Sequence, residues 1–215
     1  MNAGRMRSAG LTTALAAIVL TVALVAPSHA QAGACGSAKT QNPKRKVASR
    51  SPLAIGDSVM LLALPDLARE GFKVNARGCR AFDEGVALLR SRRRRGTLPH
   101  LSVIALGADH SINAGQIRRA LKVIGPKRKL GLVVPLETGG RESNDARVVR
   151  NAGRRAPRQV KVLDWPRYSR GHRSWFQPDH LHLTFAGAAA YARLMGKLIP
   201  LADGGDKRGS KDKER

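Results

Sequence analysis

The sequence predicts an α/β protein: a flavodoxin-like three-layer α/β/α sandwich around a five-stranded parallel sheet. From residue 52 onward, short apolar runs of strand length alternate with longer segments of helical periodicity. This alternation is typical of a parallel sheet covered by helices on both faces. The chain has 215 residues, of which 42% are hydrophobic, so it can bury one core of ordinary size.

The predicted elements follow each other without an internal repeat or a second domain. The strands are expected at residues 52–57, 72–76, 101–106, 129–135 and 159–164, and the helices at 58–70, 83–94, 113–124, 144–153 and 184–198. Pro65 is expected to kink or split the first helix, and Asp83 and Thr184 are suitable N-caps. Residues 165–183 are predicted to form a long irregular loop.

Residues 1–30 have the features of a secretory signal peptide. Arg5 and Arg7 precede an apolar run at 11–25, and Ser28-His29-Ala30 is a small-x-small cleavage site. The apolar run is shorter than the roughly 20 residues of a membrane span, and an uncleaved anchor is the alternative. The protein is therefore expected to be secreted or held in the cell envelope.

The remaining chain divides by composition. Residues 31–51 are polar and basic and predict a flexible lead-in, residues 52–200 predict the folded domain, and residues 201–215 predict a charged disordered tail. The formal net charge is +24. This excess indicates either a solvated basic surface or attraction to an anionic wall polymer. No aromatic residues interleave the arginine cluster at 92–95, so a nucleic-acid partner is not expected.

The chain after residue 30 contains two cysteines, Cys35 and Cys79. In an oxidising compartment such a pair predicts a disulfide, and the alternative is two separate buried thiols. The disulfide would join the lead-in to the loop at Gly78-Cys79-Arg80.

A serine stands where the first predicted strand meets the first helix, in the sequence Gly56-Asp57-Ser58. Its hydroxyl would lie at the carboxyl end of a strand, where open α/β sheets bind ligands. Its backbone N–H would belong to the first helical turn, where unpaired donors favour a developing oxyanion. Ser58 is therefore a candidate nucleophile, and the alternative is a simple N-cap.

A partner for this serine is predicted in the last loop, where Asp179 and His182 are three residues apart. In a tight turn such side chains eclipse one another. The carboxylate can then accept from the imidazole Nδ1–H, which leaves Nε2 to take the serine proton. The alternatives are a loop histidine and a turn-forming aspartate.

Asp109, His110 and His180 invite a metal-binding interpretation together with Asp179 and His182. No spacing among them is diagnostic of a metal site. We expect neither a metal nor another cofactor.

These motifs together resemble the SGNH hydrolases, also called GDSL-type esterases, from residue 52 to about residue 198. The chain is most similar to the extracytoplasmic SGNH domains that accompany membrane acyltransferases. The matching residues are Gly56-Asp57-Ser58 for the nucleophile block, Gly78 for the oxyanion glycine, Gly107-Ala108-Asp109 where the family has Gly-x-Asn, and Asp179-x-x-His182 for the last block.

The resemblance implies an SGNH hydrolase fold and a serine esterase or related O-acyltransferase that works through an acyl-enzyme. Ser58, Asp179 and His182 would be catalytic, and Ser58, Gly78 and Asp109 would form the oxyanion hole. The implied substrates are small acyl esters on a small molecule or on cell-wall carbohydrate, including O-acetyl groups, and the protein is expected to be a monomer.

Asp109 departs from the family pattern, because an ionised carboxylate cannot donate a hydrogen bond to an oxyanion. Losing one such donor costs about two to three orders of magnitude in rate. Three alternatives stay open: a protonated Asp109 in a desolvated site, donation by Asn113, or sufficient donation by the backbone of Ser58 and Gly78. If none applies, the chain would be a weakened SGNH-fold protein that binds anionic wall polymer.

Four further residues have two interpretations each. Trp165, Trp175 and Phe176 either line an acyl or sugar site or pack the long loop against the domain. Arg80 either contacts an anionic substrate or lies on the surface.

Overall fold

The computed structural model of the chain describes Met1 and residues 35–204, so residues 2–30 of the predicted signal peptide and residues 205–215 of the predicted tail lie outside the described residues. The strands are β1 (Lys39–Gln41), β2 (Leu53–Gly56), β3 (Lys73–Ala76), β4 (Leu101–Ala105), β5 (Lys129–Val133) and β6 (Val160–Leu163). The α-helices are α1 (Leu64–Glu70), α2 (Phe82–Arg94), α3 (Ala114–Ile124), α4 (Asn144–Arg155), α5 (Trp165–Tyr168) and α6 (Phe185–Gly196). Short 3₁₀ helices cover Ser58–Ala63, Arg173–Trp175 and Ile199–Leu201.

The sheet has the strand order β1-β3-β2-β4-β5-β6, and the strands from β2 to β6 are parallel. The order of those five strands is that of the flavodoxin-like sheet, which confirms the predicted fold class. In the register, Gly56 is paired with Ala76 on one side and with Ala105 on the other. The loops that follow β2, β3 and β4 therefore begin side by side at the carboxyl end of the sheet.

A sixth strand corrects the five-stranded prediction. Lys39–Gln41 lies in the predicted lead-in and pairs antiparallel with β3, with Lys39 opposite Ala76 and Gln41 opposite Val74. The segment has no apolar alternation because it forms the sheet edge, where polar residues are well tolerated. Part of the predicted lead-in thus belongs to the folded domain.

Helices cover both faces of the sheet and enclose two apolar cores. One core contains residues of α1 and α6 such as Leu67 and Met195, and both are fully buried. The other contains residues of α2 and α3 such as Leu89 and Ile117. No helix in the described part of the chain combines the length and apolar character of a membrane span.

The first predicted helix is split at Pro65, as expected, and the predicted irregular loop contains regular elements. The first helix begins as the 3₁₀ helix Ser58–Ala63 and becomes α-helical at Leu64, because Pro65 fits the first turn of a helix but not its interior. The predicted irregular loop contains α5 and the 3₁₀ helix Arg173–Trp175.

Aromatic rings hold this loop against the domain. The ring of Trp165 stacks on that of Trp175 at 5.9 Å between centroids and meets the edge of Tyr191 at 4.9 Å. Trp165 is 2% exposed, so its ring belongs to the core and packs the loop down.

Candidate active site

The turn after β2 presents Ser58 at the carboxyl end of the sheet. Asp57 is the N-cap of the 3₁₀ helix, and its Oδ1 accepts a hydrogen bond from the backbone N–H of Val59 at 3.2 Å. A Cβ at Gly56 would lie 2.5 Å from the Cβ of Met60, so this tight turn requires glycine. Ser58 is half-buried, which leaves its hydroxyl accessible.

A second turn, in the loop before α6, orients His182. One oxygen of Asp179, Oδ1, accepts the backbone N–H groups of Leu181 and His182, both at 3.0 Å. The other, Oδ2, lies 2.5 Å from His182 Nδ1. The backbone N–H of Gln177 donates to the carbonyl of His182 at 2.7 Å and closes the turn. The imidazole is therefore held at one nitrogen while Nε2 is directed outward.

Ser58 Oγ lies 3.0 Å from His182 Nε2, although 124 positions separate the two residues in the sequence. Thr184 caps α6 by accepting the N–H of Gly187 at 3.2 Å. Helix α6 packs against the 3₁₀ helix that starts at Ser58, and this packing brings the last loop over the end of β2. The structure thus brings Ser58, Asp179 and His182 into one hydrogen-bonded series.

Hydrogen bonding lowers the pKa of Asp179. Desolvation by itself would raise its pKa, but the bonds from the His182 side chain and from the N–H groups of Leu181 and His182 lower the pKa to about 2. Asp179 is therefore ionised at neutral pH. An ionised carboxylate at this position stabilises a protonated imidazole and selects the tautomer with the proton on Nδ1.

The loop after β3 carries the predicted disulfide, which is present between Cys35 and Cys79. Gly78 is buried against this bridge, and a Cβ there would lie 2.8 Å from the carbonyl oxygen of Cys35. Cys79 has a φ of 51°, a left-handed conformation that costs energy for a residue other than glycine. Among the described residues, the N–H groups of Ser58 and Gly78 have no acceptor, so both can donate to a ligand.

Arg80 is buried, which corrects the interpretation that it lies on the surface; contact with an anionic substrate stays a prediction. The residue is 5% exposed, and its guanidinium donates from one nitrogen to the carbonyls of Gly56 at 3.0 Å and Asn75 at 2.8 Å. Burial lowers the pKa of Arg80 below its usual value. Its position was missed because burial of a charged side chain depends on which carbonyls surround it in the folded chain. Arg80 joins the ends of β2 and β3 from inside the protein.

Asp109 lies on the surface of the loop after β4. Its exposure removes the physical basis for a desolvated carboxylic acid at this position. Asn113 is the N-cap of α3, where its Oδ1 accepts the N–H of Gln116 at 3.0 Å. Of the three alternatives for the oxyanion donor, the backbone groups of Ser58 and Gly78 have the geometric support.

Asp57 is a buried residue beside Ser58 to which the sequence analysis assigned no role. Burial raises its pKa to about 6, although the N–H groups of Ala108 and Val59 bond to its oxygens; the Asp109 carboxylate adds to the rise. The Oδ2 atom accepts from Ala108 N at 3.3 Å, so Asp57 joins the nucleophile turn to the loop after β4. Its position directly after a fully apolar strand was the available signal.

The other candidate metal ligands are dispersed. His110 Nε2 lies 3.2 Å from the carbonyl oxygen of Cys79, and His180 lies in the wall of a separate groove. Within residues 35–204 no group of three or more His, Cys, Asp and Glu side chains is arranged to hold a metal ion.

Structural comparison confirms the predicted fold, which this chain shares with solved proteins that include a member of the G-D-S-L family. The C-terminal catalytic domain of Streptococcus pneumoniae peptidoglycan O-acetyltransferase A, solved with a methylsulfonyl adduct, superposes with a TM-score of 0.62 at 23% identity over 72% of this chain and 95% of that one. A member of the lipolytic G-D-S-L family from Veillonella parvula superposes with a TM-score of 0.52 at 11% identity over 71% of this chain and 100% of that one.

Sequence comparison identifies O-acetyltransferases as relatives of this chain. The peptidoglycan O-acetyltransferase OatA of Listeria monocytogenes is 28% identical over 171 residues, and the O-acetyltransferase OatA of Staphylococcus aureus is 27% identical over 172 residues. Each match covers 75% of this chain but 27% of the relative, so the chain spans about a quarter of the length of these proteins. No protein-family model matches the chain.

Proposed function

We propose that the chain is a serine esterase or related O-acyltransferase that acts on small acyl esters, with O-acetyl groups of cell-wall polysaccharide as its substrate class. One observation carries the proposal. Ser58 Oγ lies 3.0 Å from His182 Nε2, and His182 Nδ1 lies 2.5 Å from Asp179 Oδ2. The named activity of the O-acetyltransferase relatives supports the acetyl group, and the name of the Listeria relative supports the polysaccharide.

The first half of the reaction transfers the acyl group to Ser58. Ser58 Oγ attacks the ester carbonyl carbon while His182 Nε2 accepts its proton, and the carbonyl electron pair moves to the oxygen. Asp179 stabilises the imidazolium that results. When the tetrahedral intermediate collapses, the carbon–oxygen bond of the ester breaks and His182 returns the proton to the leaving hydroxyl group.

The second half regenerates the serine. A water molecule or a sugar hydroxyl loses its proton to His182 and attacks the acyl-enzyme, and His182 then protonates Ser58 Oγ. With water the product is a free acid, and with a sugar the product is a new ester. The backbone N–H groups of Ser58 and Gly78 are the proposed oxyanion donors, and Asp109 supplies none.

The proposed location is the cell envelope or the medium. The sequence of residues 1–30 and the Cys35–Cys79 disulfide support export to an oxidising compartment. We propose that the exported protein is a monomer.

Acetate release from O-acetylated peptidoglycan and from 4-nitrophenyl acetate tests this proposal. We expect turnover by the purified protein and a loss of at least about a thousandfold in kcat for Ser58→Ala, because the nucleophile is removed. Ser91→Ala on α2 is the matched control and should retain full activity. An active Ser58→Ala variant, or a wild type inactive on every ester, contradicts the proposal.

A further inference from the structure

A groove of about 400 Å³ lies between the loops that follow β5 and β6. Its volume is in the range of sites that hold small molecules. The residues that matter for its chemistry are Gly140, Arg170, His172, Arg173, Phe176 and His180. None of them belongs to the series formed by Ser58, His182 and Asp179.

The groove shares a wall with the loop that carries the candidate base. His180 stands between Asp179 and His182 in the sequence and lines the groove. The carbonyl of Asp179 accepts the N–H of Gly139 at 2.8 Å, and a Cβ at Gly140 would lie 3.2 Å from the Cβ of His180. These contacts join the two walls directly beside the candidate active site.

The groove has a positive charge that is not neutralised locally. Arg170 and Arg173 are exposed, and within residues 35–204 neither forms a salt bridge. The one carboxylate in the lining belongs to Glu142, and it is paired with Arg150. Guanidinium groups match the geometry of carboxylate and phosphate oxygens and bind them in pairs of hydrogen bonds.

The groove also presents aromatic faces. Phe176 lines it, and the His172 ring stacks on Trp175 with 3.8 Å between centroids and an angle of 5°. Stacking fixes the orientation of this ring before a ligand binds. Planar rings of this kind pack against the apolar face of a sugar ring, and the nearby guanidinium groups can bind an anion.

We propose that this groove binds an acidic saccharide, with the sugar ring against Phe176 and His172 and its carboxylate or phosphate on Arg170 and Arg173. The proposal rests on the proposed function, because it assigns the groove to the glycan whose ester reaches Ser58. It extends that function by naming a charged glycan as the preferred substrate.

Three matched substrates test the proposal: an O-acetylated neutral xylo-oligosaccharide, the same compound with a glucuronic acid side group, and the same compound with a phosphate ester. We expect kcat/KM to be about tenfold higher for an acidic substrate than for the neutral one, mainly because KM is lower. The two acidic arms distinguish a carboxylate from a phosphate as the group recognised. Equal kcat/KM values for all three substrates overturn the proposal.

The variant Arg170→Gln/Arg173→Gln then locates the effect. It should lower the ratio of acidic to neutral kcat/KM by about tenfold, because it removes both guanidinium groups but keeps a polar side chain at each position. The matched control Arg90→Gln/Arg94→Gln removes the same charge from exposed positions of α2 and should change the ratio by less than about twofold. Equal ratios for the two variants overturn the assignment to this groove.

Direct binding separates this proposal from the proposed function. If the wild type hydrolyses no ester at all, the proposed function fails, and calorimetry with the two non-acetylated acidic oligosaccharides, one with glucuronic acid and one with a phosphate ester, decides the inference alone. We expect binding by the wild type and a weaker affinity by about tenfold for Arg170→Gln/Arg173→Gln. Absence of binding, or equal binding by this variant, overturns the inference.

Discussion

The two loops that flank Ser58 are held in place by different chemistry. The loop at 77–81, after β3, is fixed by the Cys35–Cys79 disulfide and by the buried Arg80. The loop at 107–113, after β4, is fixed by two buried carboxylates: Asp57 accepts the N–H of Ala108 at 3.3 Å, and Asp145 accepts the N–H of Ile112 at 2.8 Å.

This difference in anchoring determines how each loop responds to pH and to the redox state. Burial raises the pKa of Asp57 to about 6 and also raises the pKa of Asp145. The anchors of the loop at 107–113 therefore depend on pH, whereas the disulfide that anchors the loop at 77–81 depends on the redox state. Of the two backbone groups proposed as oxyanion donors, the N–H of Gly78 lies in the loop that pH affects less.

Removal of the disulfide should have the largest effect. The two cysteines are 44 positions apart, and the chain-entropy model for a loop of that length gives a loss of about 4 kcal/mol in the free energy of unfolding for Cys35→Ser/Cys79→Ser. Urea denaturation measures this loss. A reducing agent should destabilise the wild type and leave the variant unchanged, and a wild type indifferent to reduction would contradict the role of the bridge.

Asp57 should make stability fall as pH rises. Because its pKa is about 6 when folded, against a usual value of 3.8, the native state holds the proton more tightly, and the stabilisation present below the unfolded pKa is lost as pH rises through 6. This group alone changes the free energy of unfolding by about 3 kcal/mol between about pH 3 and about pH 7.

Denaturation of Asp57→Asn over the same pH range checks this expectation. Asparagine does not titrate, so the difference between the two proteins in free energy of unfolding should shift in favour of the variant as pH rises. A difference that is constant with pH would show that Asp57 titrates alike in the folded and unfolded chain.

Asp109→Asn should raise kcat by about a hundredfold, because an amide adds a donor where a carboxylate repels the oxyanion. Initial rates with 4-nitrophenyl acetate measure the gain. Asp109→Ala removes the charge without adding a donor, and its gain should be the smaller of the two. If both variants match the wild type, the loop at 107–113 does not face the oxyanion.

Arg80→Lys should give the smallest effect, a loss of about tenfold in kcat with KM little changed. Lysine keeps the charge, but it lacks the rigid planar donor group that holds the carbonyls of Gly56 and Asn75 together. Arg77→Lys is the matched control, since Arg77 pairs with Glu84 near the surface. Equal kcat values for the two variants would show that Arg80 does not position the turn.

The contrast between the loops also shows what the sequence could predict. The strand-to-helix junction at Ser58 was predictable because an apolar run ends there in Gly-Asp-Ser, and the i, i+3 spacing of Asp179 and His182 predicted their contact. The strand order then brings the turn at Ser58 and the turn at Asp179–His182 together. The alternation of strands and helices predicted the flavodoxin-like sheet that has this order.

The groups that anchor the two loops were harder to predict from the sequence, because they depend on tertiary surroundings that leave no local pattern. Arg80 is polar and charged like many exposed arginines in this chain, and only the carbonyls at two strand ends make its burial favourable. Lys39–Gln41 became a strand because β3 offers a free edge beside the disulfide.

The most direct test of the account is covalent labelling by a sulfonyl fluoride, followed by intact-mass measurement and peptide mapping. A serine activated by His182 and Asp179 should react once, at Ser58, and His182→Ala should slow the reaction because the base is lost. The account predicts a single adduct on Ser58 in the wild type and no adduct in Ser58→Ala. Equal labelling of the two proteins, or labelling at another residue, would contradict it.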